Sequence, residues 1–191
     1  MHQKEYMNNP TSGYLELILG PMFSGKTSKL LEIYKQYSFC NISVAVINHS
    51  LDTRYHESLL STHDRIMIPC FQTESLMNES CLEIMQKSQV ILINEGQFFS
   101  DLYECILMLL QNKKTVYIAG LDGDFERKPF GEIIRLLPLC DNYYKLKSLC
   151  SLCKNGTTGI FSLRLTKETE QTLIGSNNYL PVCRTCYDNN S

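Results

Sequence analysis

Residues 20–27 of this chain read Gly-Pro-Met-Phe-Ser-Gly-Lys-Thr, which matches the phosphate-binding pattern G-x-x-x-x-G-K-[ST] in full. The apolar run Tyr14–Leu19, which has the character of a strand, comes just before this loop, and apolar residues at helical spacing follow it. A glycine-bearing turn can fit the pattern by coincidence, but a preceding strand and a following helix are the context that the pattern requires. The stretch therefore predicts an α/β fold that binds a nucleoside triphosphate.

Each part of the loop has a physical task. Its glycines let the backbone curl so that successive N–H groups point at phosphate oxygens, and the start of the helix adds its positive dipole end. We expect Lys26 to reach the outer phosphates and the Thr27 hydroxyl to take a place on magnesium. The expected triphosphate contacts are Gly20, Pro21, Met22, Phe23, Ser24, Gly25, Lys26 and Thr27.

Outside the loop, short apolar runs alternate with helical patterns as far as residue 140. Strands are predicted over 14–19, 43–48, 89–93 and 115–119, and helices over 26–39, 76–87, 101–111 and 130–137. Strands that are apolar throughout are typical of a parallel sheet covered on both faces. We therefore predict a tail over 1–13, an α/β nucleotide-binding domain over 14–141 and a small second domain over 142–191, where polar residues dominate.

Composition argues against several classes of function. The 191 residues are 43% hydrophobic and carry a formal net charge of −2, which gives a core but no broad basic face for nucleic acid or anionic lipid. No apolar run approaches the ~20 residues of a membrane helix, and the polar start has no apolar segment of a signal peptide. The nine cysteines, an odd number, indicate reduced thiols. We expect a soluble cytoplasmic protein with no nucleic-acid or membrane partner.

Two polar residues, Asn94 and Glu95, follow the apolar run Val90–Ile93, at the strand end where ligands lie in parallel α/β sheets. Phosphate-loop enzymes commonly carry there an aspartate that helps to hold magnesium and a glutamate that takes a proton. A glutamate after a strand is more often a solvated loop residue, but an intact phosphate loop favours a catalytic role. We predict that Glu95 is the general base.

Four of the cysteines form two C-x-x-C pairs, Cys150 with Cys153 and Cys183 with Cys186. Two such pairs favour a metal site over a redox pair, and four thiolates fill every position of a tetrahedral zinc ion. We therefore predict one structural zinc. The 29 residues between the pairs, 154–182, are predicted to order over a ligand, and a surface flap without a ligand is the alternative.

Together these motifs resemble the cytosolic-type (type II) thymidine kinase family, over about residues 14–187. The resemblance rests on the phosphate loop, the paired cysteines and the stretches 52–55, 62–65, 94–99 and 120–131. It implies transfer of the γ-phosphoryl group of ATP to the 5′-hydroxyl of thymidine, and also of deoxyuridine, in DNA precursor salvage. It also implies a RecA-like sheet domain, a zinc-bound lasso domain, a homotetramer and feedback inhibition by thymidine triphosphate.

The resemblance also assigns site residues by position. It places the catalytic base on Glu95 and adds to the ATP contacts Asp52, Thr53, Arg54, Asn94 and Gln97. It places the nucleoside pocket on Phe98, Leu121, Phe125, Ser162, Gln171, Thr172, Leu173, Ile174, Gly175 and Tyr179. The three apolar residues at 98, 121 and 125 would offer surface to a pyrimidine, although a plain core role is the commoner fate of such side chains.

Three positions depart from the family's pattern. Asn94 stands where the family has aspartate, which removes a negative charge near magnesium and predicts a weaker hold on the ion with activity retained. Ser162 replaces threonine and keeps the hydroxyl. The spacing between Leu163 and Tyr179 does not follow the family residue for residue, so the lasso contacts are assigned by position along the loop rather than by matching residues.

Two other classes of protein share parts of this pattern. A nucleic-acid-dependent ATPase would grip DNA with the zinc segment, but residues 143–191 carry six Lys or Arg against three acids and few aromatics. A regulatory ATP-binding protein without turnover would not need Glu95. Labelled ATP offered with a panel of nucleosides distinguishes both from a kinase.

Overall fold

The computed structural model describes residues 11–52, 59–61, 67–172 and 178–190. Its strands are β1 (Tyr14–Leu19), β2 (Val44–His49), β3 (Leu59–Ser61), β4 (Met67–Pro69), β5 (Phe71–Thr73), β6 (Val90–Asn94), β7 (Thr115–Gly120), β8 (Asn142–Lys145), β9 (Ser148–Leu149), β10 (Thr158–Gly159), β11 (Phe161–Arg164) and β12 (Tyr179–Val182). Its helices are α1 (Lys26–Phe39), α2 (Glu79–Lys87), α3 (Leu102–Gln111) and α4 (Arg184–Asp188), with 3₁₀ turns at Gly96–Phe98 and Ile133–Leu139.

Six strands form a fully parallel sheet in the order β5-β2-β6-β7-β1-β8. The predicted α/β class is therefore confirmed. Alternate residues of each strand enter two different cores, as the twofold periodicity of a strand requires. Ile91 and Ile93 pack towards α2 and α3, whereas Val90 and Leu92 pack towards α1. Helices thus cover both faces, which explains why these strands are apolar throughout.

The parallel arrangement places all six carboxyl ends at one edge of the sheet. The phosphate loop follows β1 there, residues 50–52 follow β2, Glu95 follows β6 and Leu121 follows β7. Ligands bind at this edge of open α/β sheets. Groups that are far apart in the sequence are therefore brought together by topology alone.

Helix α1 has the predicted bounds, but two other elements differ from the prediction. Helix α2 begins at Glu79 rather than residue 76, because the Asn78 side chain accepts a hydrogen bond from the Ser80 amide and caps the first turn. The helix predicted over 130–137 is a 3₁₀ turn over Ile133–Leu139, with Pro138 inside it.

The C-terminal part of the chain is small and built from hairpins. Strand β9 pairs with β10, and β11 pairs with β12, both antiparallel, and α4 follows. The boundary predicted near Asp141 falls just before β8, which pairs with β1 inside the main sheet, so the sheet extends to Lys145. Strand β8 is an exposed edge strand with polar and aromatic residues, and for that reason its sequence does not have the apolar character of the other five. Within the described ranges, no helix combines the length and apolar character needed to cross a bilayer.

Candidate active site

The phosphate loop has a backbone that few sequences can adopt. Gly20 has a φ of 147°, and a Cβ there would lie 2.6 Å from the Leu146 carbonyl oxygen. Phe23 and Gly25 also have positive φ values, 61° and 84°. The loop leads directly into α1, whose first turn has no acidic side chain to oppose an anion. Lys26 is almost fully buried, and its ammonium group donates to the Pro21 carbonyl at 2.8 Å, across the loop.

A chain of polar side chains runs from α1 across the strand ends. The Thr27 hydroxyl lies 3.5 Å from Oδ1 of Asn94, to which it donates. Asn94 in turn donates from Nδ2 to Asn48 at 2.9 Å, and Asn48 donates to Asp52 at 3.4 Å. Every donor in this chain points towards the Asp52 carboxylate. The carboxylate thus fixes the orientation of both amides and turns the Asn94 oxygen towards Thr27.

Glu95 leaves the end of β6 in the left-handed conformation, with φ 53° and ψ 43°. A non-glycine residue in this region is uncommon, and such strain is concentrated at functional sites. Gln97 donates from Nε2 to a carboxylate oxygen of Glu95 at 2.8 Å, while its own Oε1 accepts from the Leu121 amide at 3.0 Å. The backbone of Gly131 packs so closely on Gln97 that a Cβ there would clash with the Gln97 carbonyl oxygen. The carboxylate is therefore held by a side chain whose other end accepts from the Leu121 amide, and the backbone of the same residue is packed against Gly131.

A cavity of about 320 Å³ is lined in part by Gln97, the hydrogen-bond partner of this carboxylate. Its walls come from the strand end of β2, the turn after Glu95, the segment before the second 3₁₀ turn and the long loop between β11 and β12. The lining residues are Leu51, Gln97, Phe98, Phe99, Ser100, Phe130, Gly131, Glu132, Gln171 and Thr172. The volume is at the lower end of the range for small-molecule sites, and its walls combine aromatic rings with a few polar groups.

The aromatic wall is well supported. Phe98 meets Phe130 edge-on at a centroid distance of 5.5 Å, and His49 packs against both Phe98 and Phe99, at 5.6 and 4.6 Å. Burial lowers the pKa of His49, although nearby carboxylates act in the opposite direction. Its Nδ1 accepts a hydrogen bond from the Leu51 amide. His49 is therefore a neutral packing residue behind the cavity.

The residues predicted for the nucleoside pocket fall into four groups. Phe98, Gln171 and Thr172 line the cavity. Phe125, Ser162 and Tyr179 do not line it; Phe125 and Tyr179 contact Arg164, and Ser162 accepts a hydrogen bond from the Met22 amide of the phosphate loop at 3.1 Å. Leu121 contributes its amide to Gln97. Leu173, Ile174 and Gly175, and also Thr53 and Arg54 of the expected ATP contacts, lie outside the described residues.

Sequence reasoning missed four residues that build the site: Asn48, Asp124, Phe130 and Arg164. Asn48 ends β2 as Asn94 ends β6, and the two are paired in the strand register, so strand alignment could have found it. Arg164 lies two residues after Ser162 on the same face of β11, which is the signal that a strand period offers. Asp124 and Phe130 lie in the stretch 120–131 that carried part of the resemblance. Their roles depend on contacts with remote segments.

The four paired cysteines come together as predicted. Their sulfur atoms all lie within 4.8 Å of one another, and Cys153 Sγ is 3.4 Å from Cys186 Sγ and 3.7 Å from Cys183 Sγ. A tetrahedral zinc ion with Zn–S bonds of about 2.3 Å separates its sulfurs by about 3.8 Å, so the set fits a structural zinc. Two backbones of different hairpins are joined at this point, next to a small apolar core that includes Leu163, Val182 and Tyr187.

The pKa shifts of these thiols are also consistent with a site for a cation. Burial raises the pKa of Cys150, but hydrogen bonds from the amides of Cys153 and Cys183 outweigh this effect, and the pKa falls to about 6. Contact with Cys153 and the other sulfurs raises the pKa of Cys186 to about 12. One thiolate is thus stabilised by the backbone, and the crowded sulfurs need a cation before all four can lose their protons. All nine cysteines are described, and none forms a disulfide.

The parallel sheet, the phosphate loop after β1 and the carboxylate after β6, two strands away, have the arrangement of a phosphate-loop enzyme, and Gln97, the partner of that carboxylate, lines a cavity of the size of a small-molecule site. A sequence model of the thymidine kinase family matches residues 13–187. The thymidine kinase of Yaba monkey tumor virus is 40% identical over 94% of this chain and 97% of the viral protein. Thymidine kinase a of Arabidopsis thaliana is 41% identical over 94% of this chain and 76% of its own length. Thymidine kinase 1 of Dictyostelium discoideum is 40% identical over 93% of this chain and 78% of its own length.

This chain therefore belongs to the thymidine kinase family, which confirms both the resemblance and the predicted class of enzyme. Membership in the family implies thymidine and a nucleotide phosphate donor as its substrates.

Proposed function

We propose that this chain transfers the γ-phosphoryl group of ATP to the 5′-hydroxyl of thymidine, and also of deoxyuridine, in DNA precursor salvage. One observation carries the residue assignment. Gln97 lines the cavity and at the same time donates to Glu95 at 2.8 Å, so one side chain connects the cavity with the carboxylate that we propose as the base. A nucleoside in the cavity would present its sugar to this carboxylate, and a triphosphate on the loop would approach from the opposite side.

In this proposal the chain's own groups position the reactants and hold charge. Glu95 accepts the proton of the 5′-hydroxyl while that oxygen forms its bond to the γ-phosphorus. The bond between this phosphorus and the β,γ-bridging oxygen breaks, and ADP leaves with the electron pair. The Lys26 ammonium and the loop amides offset the negative charge that develops on the transferred group. Lys26 would exchange its hydrogen bond with the Pro21 carbonyl for phosphate oxygens.

Magnesium is the expected metal on the triphosphate, and the oxygen donors at the strand ends suit it. The Thr27 hydroxyl and Oδ1 of Asn94 lie 3.5 Å apart, next to the loop, and hard cations such as magnesium prefer oxygen ligands. Thr27 would bind the ion directly, and Asn94 would orient a water of its shell. The ion would neutralise part of the charge on the triphosphate.

The cavity explains how a pyrimidine would be chosen. Phe98 and Phe130 both line the cavity, with their rings edge-to-face, and would offer aromatic surface to the base. Gln171 and Thr172 line the cavity from the long loop, and their backbone groups would meet the polar edge of the base. Buried polar groups discriminate strongly between bases, because the wrong base leaves them without partners.

Incubation of the purified enzyme with γ-labelled ATP and a panel of nucleosides tests the proposal. We expect label on thymidine and deoxyuridine as 5′-monophosphates, and none on ribonucleosides of purines. Hydrolysis of ATP stimulated by DNA, with no labelled nucleoside, would instead support a nucleic-acid-dependent ATPase.

Three further properties follow from the family resemblance and are proposed with the activity. Thymidine triphosphate would inhibit by placing its base in the cavity and its phosphates on the loop, so its inhibition should be competitive with thymidine. We propose a homotetramer, with a dimer as the alternative, which native mass spectrometry distinguishes. We also propose a cytoplasmic location, which the nine free thiols support.

A further inference from the structure

Arg164 is a buried arginine that donates three of its hydrogen bonds to one short segment of the chain. The residue is only 8% exposed. Nη1 donates to the carbonyl oxygens of Glu168 and Glu170, at 2.9 and 2.6 Å, and Nη2 donates to the carbonyl oxygen of Gln171 at 3.2 Å. We call residues 168–171 the lasso base. A single guanidinium therefore fixes three backbone carbonyls within four residues.

The other contacts of Arg164 fix the guanidinium itself. It lies over the ring of Phe125, at 3.6 Å from the ring centroid. Nη2 also donates to the hydroxyl of Tyr179, its cross-strand partner on β12, at 2.5 Å. The planar guanidinium thus packs on the Phe125 ring and is hydrogen-bonded to Tyr179 of β12. Its several N–H donors point in fixed directions, so that it can bind several acceptors at once. Burying a cation is costly unless it is compensated, and here the carbonyl dipoles and the ring supply the compensation.

A second contact holds the same segment from its other side. The Gln171 side chain donates to Oδ2 of Asp124 at 2.7 Å. The other oxygen of Asp124 accepts from the amides of Glu126 and Lys128, both at 2.9 Å, so this carboxylate is also fixed. The main chain of Gln171 is held by Arg164 and its side chain by Asp124.

The segment held in this way forms one wall of the cavity. Gln171 and Thr172 line it, together with Phe98 and Gln97. None of the contacts of Arg164 described above involves the phosphate loop or Glu95. The position of the wall therefore depends on Arg164, whereas the position of the reacting groups does not.

We propose that Arg164 is a positioning residue for the nucleoside, assisted by Asp124: it holds the lasso base so that Gln171 and Thr172 close the cavity over the base. This inference rests on the proposed function. Without the guanidinium, three backbone carbonyls of the lasso base lose their donor, and the segment spends most of its time away from the position in which Gln171 and Thr172 line the cavity. The apparent affinity for thymidine is then reduced in proportion to the fraction of molecules in which the wall is in place.

Arg164→Met, which keeps the apolar stem, tests this in the full enzyme. We expect the KM for thymidine to rise about 30-fold, while kcat and the KM for ATP stay within about threefold. Arg164→Lys, which keeps the charge but has only one nitrogen, should fall between the wild type and Arg164→Met. Arg127→Met is the matched control, because Arg127 also lies over an aromatic ring, that of Tyr187, but pairs at the surface with Asp188 rather than with the lasso base.

Amide hydrogen exchange supplies a readout that does not depend on activity. In Arg164→Met we expect faster exchange at residues 168–172 and unchanged protection in α1, with zinc content unchanged. A loss of zinc or of global protection would mean a role in folding and would overturn the proposal, as would a thymidine KM no higher than that of Arg127→Met. If Arg164→Met does not fold, Arg164→Lys and Asp124→Asn must show the same selective rise in thymidine KM. If Arg164→Met shows this faster exchange relative to the wild type, but the wild-type enzyme phosphorylates no nucleoside, the proposed function is contradicted. The role of Arg164 in ordering the lasso base is then still supported.

Discussion

The two halves of the proposed site are held in place by different kinds of interaction. The half that we propose for the triphosphate, called the phosphate half, has the loop after β1 and Glu95 after β6, at the ends of strands inside the sheet. The half that we propose for the nucleoside, called the nucleoside half, ends in a long loop whose described part is held by Arg164, Asp124 and the hairpins that carry the cysteines. One half thus takes its geometry from secondary structure, and the other takes it from a few side chains and two hairpins that meet at the four cysteines.

This difference shows which parts of the enzyme can be changed separately. A strand end in a parallel sheet moves only if the sheet moves, so its geometry is as stable as the core. A loop held by side chains can loosen while the core remains folded. The two halves meet directly at Ser162, whose hydroxyl accepts from the Met22 amide. The following predictions test how independent the halves are.

The largest effect is expected from Glu95→Gln. The variant keeps an oxygen that can accept from Gln97, so the geometry survives while the base is lost. We expect kcat to fall by about 10³-fold with both KM values nearly unchanged, as for the loss of a general base. Steady-state kinetics measure this, with Glu83→Gln on the exposed face of α2 as a control of the same chemistry. A fall of less than about tenfold would remove Glu95 from the reaction.

Removal of zinc should disturb the nucleoside half and spare the sheet. Stripping the metal should disorder residues 154–182 and raise the KM for thymidine by about tenfold or more, because the hairpins that support the lasso base lose their shared anchor. Metal analysis and kinetics on the same sample measure this. Cys183→Ser should reproduce the effect, whereas Cys140→Ser, at a half-buried cysteine outside the cluster, should not. Unchanged kinetics in a verified zinc-free sample would contradict a structural role.

Asn94→Asp tests the phosphate half at the magnesium position. The new carboxylate should lower the magnesium concentration for half-maximal rate about fivefold, since it adds a negative charge beside Thr27. In the wild type, Nδ2 of Asn94 donates to Oδ1 of Asn48. In the variant a carboxylate oxygen takes the place of this donor and faces the Asn48 oxygen, so two acceptors lie opposite one another. We therefore expect a loss of about 1 kcal/mol in the free energy of unfolding, measured with denaturant. An unchanged magnesium dependence would refute the role assigned to Asn94.

The smallest effect should come from Ser162→Ala, at the point where the halves meet. Loss of one neutral hydrogen bond to the Met22 amide should raise the KM for ATP about threefold. Ser162→Thr, which keeps the hydroxyl, is the matched control and should leave the KM for ATP unchanged. A selective rise in the KM for thymidine in Ser162→Ala would instead place Ser162 in the nucleoside half, as the family resemblance implied.

The sequence predicted the phosphate half better than the nucleoside half, for a physical reason. The loop, α1 and the strand before Glu95 depend on short stretches in which spacing, glycine and apolar pattern agree. The four cysteines were also predictable, because a metal site has a fixed ligand spacing. Asn48 and Arg164 could not be assigned from local pattern, since their roles depend on partners 46 residues away in one case and on a hairpin register in the other.

Strand β8 shows a related limit. Its residues are mostly exposed, and nothing in them indicates that they pair with β1, the strand that leads into the phosphate loop. Edge strands lack the apolar pattern that identifies buried ones. Composition therefore suggested a boundary at Asp141 where the main chain continues the sheet.

The four residues of β11 alternate between two faces of the strand, and each face contacts a different region. Phe161 and Leu163 pack into the apolar core around the cysteines, whereas Ser162 and Arg164 point to the phosphate loop and the lasso base. Suppose that one residue is deleted or inserted between Cys153 and β11 and that the strand register shifts by one. The two faces of β11 would then be exchanged, and an arginine would be buried among the cysteines. We expect variants with length changes confined to the exposed turn at 154–157 to remain active. Variants in which the change shifts the register of β11 should bind both thymidine and ATP more weakly.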